Sequence, residues 1–389
     1  MKHLSFKRMA LALSVAMLPG VTLADVAADL QQPLWYKAPS EKTMQLAKQD
    51  DLSNTVVSDG QRGEPGFPAS NLALTDEQIA KVKAGNFTVA ISMGWMGDDW
   101  ASQQLIGLKE TFESMGIKVV AETNANWDDA KQIADIEAIS VLKPSLLVSI
   151  PLNGQTTASA YKKIAAAGTK IVFIDQAVDG MEAGKDYSSI ISSDNLALGM
   201  YLADALAEAT GGKGDVAAMY YANDFYVTNL RYEGFIARVE AKYPDMHVIV
   251  AAGHNNPNKG QEVAQGLLAR YPTLAGVYAS WSIPAMGAVT SATVAGRTPD
   301  NFKIVNENFD QIVALNMAQN GFIAGISSQR PYDQGVAEAK TGALTLIGEP
   351  TPPYIVVAPV KVERGNLPAS YKTIYRVDLP AEMVSALSN

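Results

Sequence analysis

Indole, carboxylate and amide side chains recur along this chain in short groups, each just past a brief apolar run. Trp95, Asp98, Asp99 and Trp100 follow FTVAISM; Asn153 follows LLVSI; Asp175 and Gln176 follow KIVFI. Asn223, Asp224, Phe225 and Tyr226 follow DVAAMYY, with Arg231 shortly beyond. Trp281 follows GVYAS, Asn308 follows FKIVNE, and Gln329 follows GISS. Flat aromatic faces pack against the C–H faces of sugars and attract cations. Carboxylates accept hydroxyl protons, and each bond to a charged group contributes about 1.5–3 kcal/mol. Such a set of side chains holds a small polar molecule.

It does not obviously transform one. The chain has no cysteine, so it carries neither a disulfide framework nor a thiol nucleophile. No G-x-S-x-G elbow, P-loop or dinucleotide glycine fingerprint is present. Gly211-Gly212-Lys213-Gly214 precedes a strand, on the wrong side of a helix to cradle phosphate. Beyond His3, the histidines are His247 and His254, neither with a neighbour at metal spacing. The expectation is a binding protein rather than an enzyme, with no cofactor and no metal.

Each residue also has a plainer reading. Asp98 or Asp99 could cap the helix that follows. Asp175 ends a buried strand, where a lone charge is costly, and Arg231 could be its structural partner. Asn153 and the Asn223–Tyr226 cluster suit turns. Gln329 could satisfy backbone groups. Trp281, followed by Pro284, is poorly placed for core packing, and its N–H wants a partner.

The elements that must position these residues alternate steadily from Phe87. Strands are expected at 87–93, 117–122, 145–150, 170–174, 187–191, 214–221, 247–252, 276–280, 303–307 and 323–328. Helices lie between most of them, with helix-period apolar spacing clearest at Leu105, Leu108, Phe112 and Met115. That rhythm predicts an α/β protein with parallel sheets and right-handed crossovers. Ligands of such sheets bind beyond the strands' carboxyl ends.

Residues 1–24 read as a secretory leader: Lys2, Lys7 and Arg8, an apolar Met9–Leu18 core, then Thr22-Leu23-Ala24, with cleavage after Ala24. The apolar core is about ten residues, against the roughly 20 a spanning helix needs. Residues 25–85 are rich in Pro, Gly and polar residues and read as an irregular extension. It ends in a short helix capped by Thr75, and Trp35 and Tyr36 pin it to the body. The chain has 31 Lys and Arg against 40 Asp and Glu, and three of the basic residues lie in the leader. Nucleic acid is therefore not a partner. The mature length exceeds what one core usually supports, so two lobes are expected.

Six ordered segments carry a resemblance: KIVFIDQ, IISSDNLALGMYLADAL, NLRYEGF, LAGVYASWSIPAMGAV, FKIVNEN and GISSQRPYDQGVAEA. From about Phe87 to Leu367 the chain resembles the type I periplasmic solute-binding proteins of ABC importers, in the branch of ribose- and galactose-binding proteins. The resemblance implies two Rossmann-like lobes joined by a three-segment hinge. Their limits would be 86–192 with 330–353, and 193–329 with 354–375, leaving 376–389 as a C-terminal tail. Hinge segments would lie near Ser192–Asp194, Gln329–Pro331 and Tyr354.

By the same resemblance Trp100 is the aromatic under the ligand ring, Asp175 a hydroxyl acceptor, Arg231 a donor and Gln329 a residue near the last crossing. Gln176, Trp281 and Asn308 depart from the ribose binders, which carry Arg, Asn and Asp at these places. The implied function is periplasmic capture of a neutral sugar or sugar alcohol and its delivery by a monomer to an inner-membrane permease. Two other readings remain open. One is a betaine-like cation in a cage of Trp95, Trp100, Trp281 and Tyr226; the other is a sugar sensor feeding a membrane receptor. A repressor on the same fold would need a basic DNA-binding helix pair before Phe87, where this chain has its extension.

Overall fold

The computed structural model describes residues 32–53 and 55–388, so the expected leader lies outside the described residues. Two parallel sheets form the framework. The first contains β1 (Phe67–Pro68), β2 (Thr88–Met93), β3 (Lys118–Asn124), β4 (Leu146–Ser149), β5 (Lys170–Ile174), β6 (Ser189–Ser193) and β12 (Tyr354–Val357). The second contains β7 (Lys213–Tyr221), β8 (Asp245–His254), β9 (Gly276–Ala279), β10 (Lys303–Asn306), β11 (Ile323–Ser328) and β13 (Val360–Val362).

Their orders are β1-β12-β6-β5-β4-β2-β3 and β13-β11-β10-β9-β7-β8. Every pairing is parallel except that of β13 with β11. In each sheet the βα run starts one strand in from an edge, at β2 or β7, steps out to that edge and then returns to the other side. That places a topological switch point between β2 and β4, and another between β7 and β9. The strands are continuous apolar runs because helices cover both faces.

Close helix crossings bring distant side chains together within each lobe. A Cβ on Gly199 would lie 2.0 Å from the Arg231 carbonyl oxygen, and one on Gly234 would lie 2.3 Å from that of Leu196. Only glycine permits helices Asn195–Thr210 and Tyr226–Lys242 to approach so closely. The approach sets Arg231 beside Asn195.

The chain passes between lobes at Asp194 and at Gln329–Arg330, near the expected places. The third passage differs. Tyr354–Val357 pairs with β6 in the first sheet, so the crossing falls at Ala358–Pro359 rather than at Tyr354. A four-residue apolar strand fits either sheet by pattern, and only its pairing decides. Beyond it, the expected tail contains the helix Ala381–Leu387, whose Met383 is buried in the second lobe's core.

The extension is more ordered than its composition suggests, and it runs across both lobes. Trp35 packs edge-on against Tyr220 and Tyr232, and Tyr36 against Tyr232. Helix Glu41–Leu46 follows, capped by Ser40, and Leu52 and Val57 are buried against Leu196, Met200 and Ala237 of the second lobe. At the first crossing, Asp194 accepts hydrogen bonds from the N–H groups of Val57 (2.8 Å) and Ser58 (3.1 Å) and from the Ser58 hydroxyl (2.7 Å). The chain then reaches the first lobe, where Gln61 accepts from Ala177 N–H, Arg62 donates to Val178 and Met181 carbonyls, and β1 joins the sheet edge. The Thr75 cap forms a full capping box with Gln78.

Arg238 anchors the second-lobe half of this strap. Its side chain, 2% exposed, pairs with Asp204 at 2.7 Å and donates to the carbonyls of Ala47 and Gln49. Arg238→Ala takes the guanidinium from Asp204, which keeps Tyr243 and Lys361, and takes the donor from two carbonyls, a loss of about 1–3 kcal/mol. Urea unfolding checks the magnitude. Hydrogen exchange should show faster exchange at residues 43–53 ahead of the rest of the fold, and unchanged protection there would show that Arg238 does not hold the strap.

Candidate functional site

The carboxyl ends of both sheets face one another, and their loops enclose a cavity. The first lobe contributes Trp95, Gly97, Asp98 and Trp100 after β2, Asn126 and Trp127 after β3, and Asp175 after β5. The second contributes Phe225, Val227, Thr228 and Arg231 after β7, Pro257 after β8, and Trp281–Ile283 after β9. Asn308 and Asp310 after β10 and Gln329 after β11 complete the lining. About 90 Å³ is open to the centres of water-sized molecules. One water needs about 10–15 Å³ on that measure, so the space holds several waters, the volume one small sugar would displace.

Four of the five tryptophans meet here. Trp95 is stacked between Trp100 (5.2 Å, 20°) and Trp127 (4.3 Å, 9°), so both its faces are covered. Its indole N–H donates to Asp98 at 3.0 Å. Trp127 of the first lobe lies 5.6 Å from Trp281 of the second, and Tyr221 and His254 extend the aromatic wall behind Trp281. Trp100 is 4% exposed, and its N–H has no protein partner. Burial pushes the His254 imidazole down to about 4, so it is neutral.

Several wall residues occupy uncommon backbone conformations. Asn126, Trp127, Asp175 and Trp281 all have positive φ, at 53°, 64°, 62° and 67°. Trp281, with ψ 168°, sits in a region that L residues rarely enter. Its N–H is taken by the Glu307 carboxylate. The strain turns the indole towards the cavity.

The buried polar groups form one network beneath the aromatic wall. Asp175 accepts from the Ser192 hydroxyl (2.9 Å) and the Gln334 amide (3.0 Å). Asn195 donates to Ser192 and accepts from Arg231 Nε at 2.8 Å. Arg231 Nη1 stands 3.6 Å from Glu307, so one guanidinium faces two carboxylates. Burial raises the Asp175 carboxyl, and Arg231 draws it back down. Burial pushes Glu307 up to about 7. Gln329 joins Ser193, at the first crossing, to Asn308.

Asp98 both lines the cavity and caps helix Asp99–Ser114 through Ala101 N–H (2.9 Å). Its carboxyl is raised by burial.

Five expected contacts are placed elsewhere. Asp99 lies in an adjoining crevice and accepts from Gln311 N–H (2.9 Å) and Tyr375 hydroxyl (2.8 Å), a latch between lobes. Asn153 folds into an Asx turn with Gln155 and Thr156 N–H groups. Gln176 donates to the Pro151 carbonyl and accepts from Tyr226 N–H across the lobes. Asn223 is exposed and donates to Tyr221 hydroxyl. Tyr226 hydroxyl donates to the Asp59 carbonyl of the strap. Asn153, Gln176, Asn223, Asp224 and Tyr226 share a separate side cleft with Gln61 and Trp127.

The sequence reading missed Trp127 and Asp310. Trp127 sits in Asn124–Asp129, a polar cluster after a strand like the others, so the signal was present. Asp310 reads as an ordinary helix cap, and only its geometry marks it. Among the described residues no group of His, Cys, Asp or Glu could hold a metal, and no helix is long and apolar enough to cross a membrane.

Residues 89–350 match the family described as "Periplasmic binding protein domain". The ribose import binding protein RbsB of Escherichia coli is 24% identical, over 72% of this chain and 91% of its own. A solute-binding protein of Agrobacterium radiobacter, solved with D-arabinose, is 25% identical, covers 74% of this chain and 99% of its own, and superposes with a TM-score of 0.67. A second, from Agrobacterium vitis with α-D-tagatopyranose bound, shares the fold at 24% identity and a TM-score of 0.69, over 74% and 99%. The switch-point cavity between two parallel-sheet lobes is what this match leads one to expect, and the chain belongs to the periplasmic binding protein family, as a type I member of its ribose- and galactose-binding-like branch.

Proposed function

We propose that this chain is the periplasmic, monomeric binding subunit of an ABC importer, exported by cleavage after Ala24, that captures a sugar or sugar alcohol and delivers it to a permease. One observation carries the reading: indoles and hydrogen-bonding groups from both lobes surround a single cavity of monosaccharide size. Trp100 and Trp281 offer apolar surface to C–H faces. Asp98, Asp175, Asn308 and Gln329 accept or donate to hydroxyls, Arg231 donates, and Phe225 closes the apolar side. The names of the relatives, which bind ribose, D-arabinose or tagatose, support a sugar of similar size. A bare quaternary ammonium would leave Asp175, Arg231, Asn308 and Gln329 without counterparts.

A ligand that touches both lobes favours the state in which they meet, and shifts the population towards it. Motion at the crossings would take the lobes apart. Small-angle scattering should show compaction on adding the ligand. A protein that stays equally extended with every pentose, hexose, tetritol and pentitol tested does not work this way. Trp100→Ala and Trp281→Ala should each weaken binding about tenfold or more in calorimetric titration.

The cavity carries a signature of binding at the expense of stability. Burial, with Asp98 and Asp99 adding to it, pushes the Asp310 carboxyl up to about 7, the level of Glu307. Both are raised above the unfolded values, so their favourable contribution is present at low pH and lost as pH rises through about 7. His254 acts in the opposite sense, but only below its unfolded pKa of about 6.5. Unliganded protein should therefore lose on the order of 2 kcal/mol of unfolding free energy between about pH 6 and 8. Asp310→Asn should remove roughly half of that loss. Urea titrations across the range check it, and a flat profile in the parent protein would contradict it.

A further inference from the structure

Asp310 starts helix Gln311–Ala318, yet its carboxylate makes no capping bond to that helix. The Gln311 N–H it would be near is taken by Asp99 from the opposite lobe at 2.9 Å. The Asp310 carboxylate is thereby left to line the cavity, at 9% exposure, with Ser282 as its neighbouring hydroxyl. The charged groups acting on it are Asp98 and Asp99, both acids, and Tyr375 binds Asp99.

The cavity as a whole is short of positive charge. Among the described residues, Asp98, Asp175 and Asp310 line it against Arg231 alone. Arg231 is already committed through Nε to Asn195 and through Nη1 to Glu307. The Asp98 carboxylate is satisfied by Trp95 and Ala101 N–H groups. Asp310 has no comparable set. Around the same space stand Trp100 and Trp281, whose ring faces attract cations.

A second observation is independent of the acids. Trp100 lines the cavity, and its buried N–H lacks an acceptor among the described residues. An unsatisfied donor of that kind calls for an acceptor oxygen on whatever fills the space. An occupant that brings an acceptor oxygen and a positive charge together would answer both observations.

We propose that Asp310 is a ligand-contacting carboxylate and that the ligand is an amino-substituted sugar or polyol, whose ammonium meets Asp310 while its hydroxyl and ring oxygens meet Trp100, Asp175 and Arg231. This rests on the reading of the cleft as a sugar site. It goes further in giving the sugar a charge. An ammonium at a desolvated carboxylate forms a charge-assisted hydrogen bond, which neutral hydroxyls form more weakly. The difference corresponds to about a ten- to hundredfold preference for the amine.

Calorimetric titration at neutral pH and low salt would compare glucosamine, galactosamine, mannosamine and glucamine with glucose, galactose, mannose, sorbitol and N-acetylglucosamine. At least one amine is expected to bind about tenfold or more tighter than both its hydroxyl and its N-acetyl counterparts. In Asp310→Asn that ratio should collapse towards one, whereas Asp310→Glu, which keeps the charge, should retain a preference. Thermal melting of both variants would show that they fold. Neutral sugars binding as tightly as their amines, or an undiminished ratio in Asp310→Asn, would overturn the proposal and leave the sugar reading standing. No binding by any amine or neutral sugar would remove the sugar reading, and the proposal with it.

Discussion

The carboxylate of Asp194 ties together three parts of the molecule, one of which, the strap, lies 136 residues away in sequence. It caps helix Asn195–Thr210 through Ala197 N–H, it occupies the first crossing between lobes, and it grips the strap at Val57 and Ser58. It is 2% exposed, and burial pushes its carboxyl up, so its charge depends on those donors. Releasing the strap would remove three of the hydrogen bonds to this buried carboxylate and leave it the Ala197 N–H, at about 1.5–3 kcal/mol for each bond to a charged group. The strap is in effect a fourth connection between lobes, beside the three that the family fold implies. Motion between lobes has to be absorbed at Gln329–Arg330 and Ala358–Pro359, and by bending of the strap between its anchors on the two lobes.

The same economy of contacts shapes the cavity. A single guanidinium, Arg231, is placed by the Gly199–Gly234 helix crossing and must serve Asp175 in one lobe and Glu307 in the other. Glu307 in turn holds the strained Trp281 backbone. A positive φ of this type costs of the order of 1–3 kcal/mol and persists only where surrounding structure enforces it. Four such residues around one cavity, together with buried carboxyls held near neutrality, describe a site whose arrangement is not the one that stability alone would choose. Asp99 adds to this by capping the opposite lobe's helix and leaving Asp310 to the cavity.

The strand–helix rhythm was legible because parallel strands covered on both faces read as uninterrupted apolar runs. For the same reason the groups at their carboxyl ends pointed to one site, and Trp100, Asp175, Arg231, Trp281, Asn308 and Gln329 do line one cavity. What sequence could not convey was the partner of each polar group. Asp99 finds Gln311 across 212 residues, and Tyr226 finds Asp59 across 167. Asn153 and Asn223 have the composition of contacts, but local turn bonds and a tyrosine hydroxyl occupy them. β12 has no feature that separates a first-sheet strand from a second-sheet one. The strap shows no periodicity because its anchors, Trp35, Arg238 and Asp194, are tertiary.

Contacts between the lobes bear on how the protein would discriminate among ligands. Asp99 with Gln311 and Tyr375, Gln176 with Tyr226, Trp127 with Trp281, and Arg376 with Asp333 all join the two lobes through protein groups alone. Such contacts stabilise the joined state whatever lies in the cavity, and they raise the fraction of molecules competent to hold a ligand. Apparent affinity rises with that fraction equally for every ligand, so these latches cannot supply selectivity. Selectivity has to come from groups whose partners the protein leaves open. Trp95, covered on both faces, is ruled out as a stacking platform. The Trp100 N–H and the Asp310 carboxylate, one a donor and the other an acceptor, are the groups that the latches leave unspent, and Asp310 is left so because the Asp99 latch has taken the helix N–H beside it.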